Sequence, residues 1–257
     1  MGSLDMHRIL VPATLLLLAA SLSAGARDLK ILTGAGMSVP VRERAAAFGE
    51  RTGVHVTVTG DTAGGVRRRM EAGEPFDLVI STTAVLDALT QDNLVPVQHH
   101  DLAQMVAGIG VKKDSDRPEI DDAPAVKALL LAAKSVAYVD PAAGGITGVF
   151  FLSQADKLGV GAEVRAKAVL VPNGTGVAQA VADGRAQYGV TLISEMLPNK
   201  DVTVWPLPDA VQMTTIYAAA VTTNAENALD AAAMLEDLRG QESRQASIRA
   251  GLKPVSQ

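Results

Sequence analysis

The chain has 257 residues, of which 48% are hydrophobic and 20% charged, a balance typical of an ordered globular protein rather than a disordered tail. The net charge is −5, and the basic residues are scattered except at Arg67–Arg69, so nucleic acid is not an expected partner. The lack of cysteine excludes disulfide scaffolds, thiol nucleophiles and cysteine-ligated metals.

The N-terminal residues have the pattern of a cleaved export signal. Behind a short basic start, an apolar run covers residues 9–20, and small residues follow up to Ala24-Gly25-Ala26, which has the form of a signal-peptidase site. This apolar run contains Pro12 and is shorter than the roughly 20 residues that a membrane-spanning helix needs. We therefore expect residues 1–26 to be a signal peptide that is cleaved after Ala26, and the mature protein to be periplasmic.

From residue 27 onward, short β-type runs alternate with stretches of helical period. Strands are predicted at 29–33, 54–59 and 76–81, and helices at 39–50, 65–72 and 83–90. The last of these strands is hydrophobic almost throughout, as expected for a strand buried on both faces. Crossovers of helical length imply parallel strands with right-handed connections. This part of the chain is predicted to form one α/β lobe.

A polar stretch then interrupts the alternation of strands and helices, and we place the first crossing between two lobes there. Further strands are predicted at 106–111, 135–139, 168–171, 188–193, 202–205 and 214–222, and further helices at 123–133, 149–158, 177–182, 229–238 and 242–250. The predicted organisation is lobe 1 over residues 27–105, lobe 2 over 106–211, and a return to lobe 1 over 212–257. The expected fold class is α/β, with two lobes that are each a mostly parallel sheet flanked by helices.

The loops after several predicted strands are rich in glycine and hydroxyl residues, and each opens a helix. They carry four residues of the types that cap helix N-termini: Ser38, Thr62, Thr147 and Thr175. The unpaired backbone N–H groups and the positive dipole end of such a terminus can hold an anion. Ligands gather at the carboxyl ends of strands in open α/β sheets. One such loop alone is an ordinary helix cap, but the recurrence in both lobes predicts a clamp for a small anion.

Other polar side chains give weaker signals. One arginine of Arg67–Arg69 can form a bidentate pair with a carboxylate ligand, although such a run is more often a solvated helix face. Glu195 is a candidate general base, or else a surface glutamate. His99 and His100 have no carboxylate cluster beside them, so no metal site is predicted. The sequence has no nucleophile elbow, phosphate-binding loop or full dinucleotide fingerprint, and we expect no cofactor.

At these loops the sequence resembles the molybdate-binding and related solute-binding proteins of ABC transporters, a branch of the type II periplasmic binding-protein fold. The resemblance runs from Leu29 to about Gly251. Its most specific pieces are residues 31–38, 71–81, 140–141 and 181–190. The resemblance implies two lobes joined by two crossing segments, with an anion held by hydroxyls and backbone N–H groups. The expected partners are a small anionic ligand and an inner-membrane ABC permease, and the expected state is a monomer.

The resemblance also implies a set of ligand-binding positions. They are Ser38, Thr62, Ala63, Ile146, Thr147, Gly174, Thr175 and Thr191. Two of them depart from the family pattern: Ala63 lies where the family has its second ligand serine, and Thr191 where it has a tyrosine. With Arg67 or Arg68 nearby, these departures favour a larger organic anion, such as a di- or tricarboxylate, over molybdate.

The same branch resembles periplasmic aconitate isomerase, an enzyme on the binding-protein scaffold. Such an enzyme moves a proton between carbons of a bound tricarboxylate without a cofactor, and the candidate base for it is Glu195 or a hydroxyl activated within the closed cleft. A fold does not decide between binding and catalysis. The sequence favours a binding protein for ABC-type uptake and leaves the isomerase as the alternative, which a test of turnover would distinguish.

Overall fold

The computed structural model describes residues 28–255, which form two α/β lobes. The predicted signal peptide, residues 1–26, lies outside the described residues. Within residues 28–255, no helix combines the length and the apolar character needed to cross a membrane. The predicted fold class is confirmed by the two sheets and their flanking helices.

Strands and helices alternate along the chain. The strands are β1 (Asp28–Gly34), β2 (His55–Asp61), β3 (Leu78–Thr82), β4 (His100–Gln104), β5 (Ala107–Lys112), β6 (Val136–Val139), β7 (Ala168–Val171), β8 (Tyr188–Leu192), β9 (Val202–Pro206), β10 (Ile216–Val221) and β11 (Lys253–Pro254). The helices are α1 (Ser38–Thr52), α2 (Ala63–Glu71), α3 (Thr83–Gln91), α4 (Ala123–Ala132), α5 (Ile146–Lys157), α6 (Gly161–Ala166), α7 (Gly174–Ala182), α8 (Ile193–Met196), α9 (Ala228–Arg239) and α10 (Gln241–Arg249).

The strands form one sheet in each lobe. The order is β11-β4-β10-β3-β1-β2 in the first lobe and β7-β6-β8-β5-β9 in the second. In the first sheet β1 to β4 share one direction, and β10 and β11 run against them. In the second sheet β5 runs against the other strands. Both sheets are therefore mixed, and most strands of each point their carboxyl ends toward the same edge.

Two elements show why the sequence pattern succeeded locally. Val41, Ala45 and Phe48 are buried on one face of α1, as their spacing predicts, and the helix ends at Gly53, whose φ of 72° is in the left-handed region that suits glycine. Strand β3 is buried along its whole length in the middle of its sheet. The missed strand β4 buries only Leu102 and Ala103 among polar neighbours, so its periodicity is weak.

The chain passes between the sheets at two places that are hydrogen-bonded to each other. The first passage, residues 105–106, joins β4 to β5, and the second, residues 207–215, joins β9 to β10. The Gln212 side chain accepts a hydrogen bond from the backbone N–H of Ala107 at 2.7 Å and donates one to the carbonyl of Ala107 at 3.1 Å. The N–H of Met105 donates to the carbonyl of Thr215 at 2.9 Å. These bonds brace the two connections side by side, which is the arrangement of a hinge.

A buried ion cluster fixes the C-terminal helices on the first lobe. The guanidinium of Arg44 on α1 forms two hydrogen bonds to the carboxylate of Asp237 on α9, at 2.9 and 3.0 Å. Both side chains are about nine-tenths buried, and Arg51 contacts the same carboxylate. Burial acts to raise the pKa of Asp237, but the hydrogen bonds from Arg44 and Arg51 outweigh it and lower that pKa.

Candidate functional site

The two lobes face each other across a cleft of about 660 Å³. It is lined by the segments that follow β1, β2, β6, β7 and β8, so the carboxyl ends of strands from both sheets meet there. A small inner chamber of about 20 Å³ continues from it, and Ala35, Thr62 and Glu195 line both spaces. The site therefore consists of an open cleft with a narrow extension at its floor.

Most of the predicted ligand-binding residues line these two spaces: Ser38, Thr62, Ala63, Ile146, Thr147, Gly174 and Thr175. Thr191 is buried behind the lining, where its hydroxyl donates a hydrogen bond to Glu195 Oε2 at 2.7 Å and its oxygen lies 3.3 Å from the hydroxyl oxygen of Thr147. Arg67 lies outside the lining, where its guanidinium pairs with Glu71 at 2.6 Å. The next residue, Arg68, lies at the cleft instead. The roles of these residues as ligands stay predictions.

Helix N-termini do lie at the cleft, but their caps differ from the predicted ones. Thr62 caps α2 as predicted, because its hydroxyl accepts a hydrogen bond from the N–H of Gly65 at 3.0 Å. Asn173, not Thr175, caps α7 by accepting from the N–H of Gly176 at 2.9 Å. Ser38 and Thr147 lie inside the first turns of α1 and α5, whose N-cap residues are Met37 and Gly145. The prediction that Ser38, Thr147 and Thr175 are capping residues was therefore wrong.

Two arginines supply positive charge to the cleft. Arg42 on α1 and Arg68 on α2 are exposed cleft-lining residues, and neither forms an ion pair with a carboxylate of residues 28–255. Their neighbour Arg69 is engaged, at 2.7 Å from Glu74. Asp61 adds a negative group to the lining, and its carboxylate accepts a hydrogen bond from the N–H of Thr62 at 2.7 Å. In the described part of the chain, no three His, Asp or Glu side chains cluster as a metal site would require.

Glu195 lies at the floor of the cleft, in the short helix α8. The sequence left it as either a base or a surface glutamate, and the surface interpretation was wrong, because the residue is only 9% exposed. Its carboxyl group lies against the backbone of Gly174 so closely that any side chain at that position would overlap it. Burial raises the pKa of Glu195, while the hydrogen bonds from the Thr191 hydroxyl and the Leu192 backbone act to lower it.

Two further polar groups of the floor escaped the sequence analysis. Tyr217 of β10 is 3% exposed and lines the inner chamber, where its phenol packs over Gly36 at a distance that leaves no room for a Cβ. Burial, with the nearby charge of Glu195, raises its pKa well above the ordinary value. The hydroxyl of Ser194 is buried beside Gly36 and has no hydrogen-bond partner within residues 28–255. The family pattern has a tyrosine where this chain has Thr191 in the second lobe. Here a tyrosine hydroxyl, that of Tyr217, reaches the inner chamber from the first lobe instead.

The lobes touch each other directly at the cleft. The N–H of Gly64 donates to the carbonyl of Gly144 at 3.2 Å, and the Thr62 hydroxyl donates to the carbonyl of Ala143 at 3.3 Å. A Cβ at Gly64 would lie 2.8 Å from the Gly144 Cα, so glycine is needed for this approach. The conformation is therefore a closed one, in which backbone atoms of opposite lobes are in hydrogen-bonding contact.

Comparison with known proteins shows the family and the fold of the chain. The model of a bacterial extracellular solute-binding protein family matches residues 29–253. An aconitate isomerase from a Pseudomonas species is 32% identical over 237 residues, which cover 88% of each chain. The periplasmic molybdate-binding protein of Azotobacter vinelandii has a TM-score of 0.72 at 17% identity, over 89% of this chain and 100% of that one. The sulfate-binding protein of Mycobacterium tuberculosis has a TM-score of 0.71 at 17% identity, over 90% and 88%. At such identities the structures show the fold alone.

Proposed function

The chain belongs to the bacterial extracellular solute-binding proteins, and from this membership and its cleft we propose that it captures a small organic polycarboxylate in the periplasm. The family resemblance drawn from the sequence is thereby confirmed. The observation that carries the proposed ligand class is the pair of arginines, Arg42 and Arg68, that line the cleft without carboxylate partners in the described chain. A guanidinium group matches a carboxylate in a planar, two-point geometry, so two of them suit a ligand with more than one carboxylate.

The size and the other groups of the cleft favour the same ligand class. Its volume of about 660 Å³ falls within the roughly 300–1,000 Å³ of typical sites for organic ligands. The hydroxyls of Ser38 and Thr175 and the N-terminus of α7 add neutral donors around the arginines. A tetrahedral oxyanion alone would leave most of this space empty.

The proposed role is the delivery of this ligand to an inner-membrane ABC permease by a monomer that closes on it. The two braced connections at residues 105–106 and 207–215 give the lobes a common hinge. The contact between Gly64 and Gly144 gives the closed state a defined end point. Ligand groups bound to both lobes would hold that contact together.

Aconitate isomerase is the second candidate function, and two observations favour it. The 32% identity to an aconitate isomerase extends over 88% of each chain. A buried carboxyl group, that of Glu195, lies at the cleft floor, where it can exchange a proton with a bound ligand. Aconitate is itself a tricarboxylate, so both functions require the same class of ligand.

A ligand panel followed by a turnover assay tests the proposal. Thermal unfolding of the purified protein should shift upward with citrate, cis-aconitate or trans-aconitate, since a ligand at 100 times its Kd stabilises the native state by about 2.7 kcal/mol. Stabilisation by molybdate, tungstate or sulfate alone would contradict the proposed ligand class. If trans-aconitate stabilises the protein, NMR of the incubated ligand distinguishes the two roles, because a transport component returns it unchanged and an isomerase produces cis-aconitate.

A further inference from the structure

We propose that Glu195 is the group that transfers a proton to and from carbon in the bound ligand, with Thr191 as its positioning residue. This inference rests on the proposed capture of a polycarboxylate and develops the second candidate function, in which the bound ligand is converted. It starts from the position of Glu195, which lines both the cleft and the inner chamber at the point where they join. Its carboxyl group is thus presented to any ligand that fills the cleft down to its floor.

Glu195 differs from the other carboxylate of the lining in having no cationic partner. Asp61 is one-third exposed, lies 4.0 Å from the guanidinium of Arg69 and accepts a backbone hydrogen bond. Glu195 is buried, and no lysine, arginine or histidine of residues 28–255 pairs with it. A carboxylate at the floor of an anion site repels the ligand, and its burial without a counter-charge is unfavourable. Its presence there is explained if it exchanges its proton during function.

The hydrogen bonds of Glu195 allow both of its protonation states. The Thr191 hydroxyl lies 2.7 Å from Glu195 Oε2, and the Thr147 hydroxyl oxygen lies 3.3 Å from that of Thr191. These donors, with the Leu192 backbone, stabilise the carboxylate, whereas burial favours the acid. The net effect is a raised pKa, which suits a carboxyl group to general acid–base work. The Thr191 hydroxyl holds Oε2 and so fixes the orientation of the carboxyl group.

The charged and titratable groups around Glu195 are few. Tyr217 of β10 approaches it from the first lobe, and Asp61, Arg42 and Arg68 lie along the same cleft. The two arginines are the groups available to hold ligand carboxylates and to stabilise negative charge that develops on them. The tyrosine stays protonated at neutral pH because burial raises its pKa. Glu195 is therefore the group of this set whose position and raised pKa suit it to accept and return a proton.

The reaction that fits these groups is an allylic proton shift. The Glu195 carboxylate removes a proton from the methylene carbon of trans-aconitate, and the C–H electron pair delocalises over the adjacent double bond and its conjugated carboxylate. The new carboxylic acid then returns the proton to the opposite carbon of the allyl system, which shifts the double bond. One C–H bond breaks and one forms, Glu195 ends as it began, and no oxidant, reductant or water is consumed.

Isosteric substitution separates proton transfer from binding. Glu195→Gln removes the ionisable group but keeps the acceptor for Thr191, and Glu163→Gln makes the same change at an exposed position on α6 as the control. Calorimetry measures the affinity for trans-aconitate. Proton NMR in D2O measures deuterium uptake at its carbon positions together with the formation of cis-aconitate. The wild-type protein and Glu163→Gln should exchange and isomerise the ligand.

The expected result for Glu195→Gln is a Kd within about threefold of wild type and a loss of exchange and turnover of about 10²-fold or more. Glu195→Asp should restore part of the rate, and the wild-type rate should rise with pH through a single ionisation that the Gln variant lacks. Unchanged turnover in Glu195→Gln overturns the inference. Wild-type protein that binds trans-aconitate with neither exchange nor isomerisation also overturns it, but leaves the proposed capture of polycarboxylates intact. Failure of the wild-type protein to bind any polycarboxylate overturns both.

Discussion

Replacement of Arg68 by glutamine is the most direct test of how the cleft recognises its ligand. Hydrogen bonds to charged groups contribute about 1.5–3 kcal/mol. Because the Arg68 side chain is exposed to solvent, we take the lower end, about 1.5 kcal/mol. That free energy corresponds to a roughly tenfold weaker Kd for citrate or aconitate. Isothermal titration calorimetry at constant ionic strength measures the change.

Arg67→Gln is the matched control, because it removes the same charge one residue away. Arg67 pairs with Glu71 at the exposed surface outside the cleft, so this variant should lose little stability and should keep its affinity. An unchanged Kd in Arg68→Gln would refute the assignment of this arginine to the ligand. An equal loss in both variants would show that overall charge, rather than a contact, governs binding.

Three further changes have defined outcomes. Gly64→Ala should weaken ligand binding in calorimetry without lowering the stability of the ligand-free protein. The added Cβ meets the backbone of Gly144 only when the lobes close. Unchanged affinity would show that this contact is not needed for binding. Asp237→Ala should lower the free energy of unfolding in urea by about 3 kcal/mol, because the buried Arg44 keeps only a partial set of partners, and a loss below about 1 kcal/mol would contradict the buried-pair argument. The lowered pKa of Asp237 means that its contribution is present above its ordinary pKa and disappears as pH falls through the lowered value. Glu195→Gln should stabilise the ligand-free protein relative to wild type, and increasingly so as pH rises. The reason is that a carboxyl group with a raised pKa stabilises the fold fully below its ordinary pKa and loses that contribution as pH rises through the raised pKa, whereas glutamine does not titrate. A difference between the melting temperatures of the variant and the wild type that is the same at pH 5 and pH 8 would contradict this.

The sequence predicted most of the segments that line the cleft, because their positions follow from local pattern. Segments rich in glycine and hydroxyl residues come directly after strands, and strand carboxyl ends meet at one edge of a sheet. The same pattern does not indicate whether Arg67 or Arg68 lies at the cleft. Neighbouring residues on a helix point about 100° apart, and the predicted start of α2 differs by two residues from the observed one.

The groups at the floor of the cleft depend on long-range packing, which the sequence pattern does not contain. Tyr217 enters the site because β10 returns to the first sheet and lies antiparallel to β3. Glu195 is buried because α8 follows β8 into the space between the lobes, whereas a glutamate after a strand is usually exposed. The capping prediction failed for a local reason: hydroxyl residues within the first turn have the same composition as true caps, and only backbone angles distinguish them.

The contact between Gly64 and Gly144 has a consequence for how such a protein can change over evolution. The lobes meet there through backbone atoms, whereas the side chains that we propose to contact the ligand lie elsewhere in the cleft. Substitutions at Ser38, Arg42 or Thr175 can therefore alter which solute is accepted while the point of closure stays as it is. A lineage can in this way acquire new ligands, or chemistry on a ligand, one side chain at a time, because the movement that encloses the solute does not have to be reinvented.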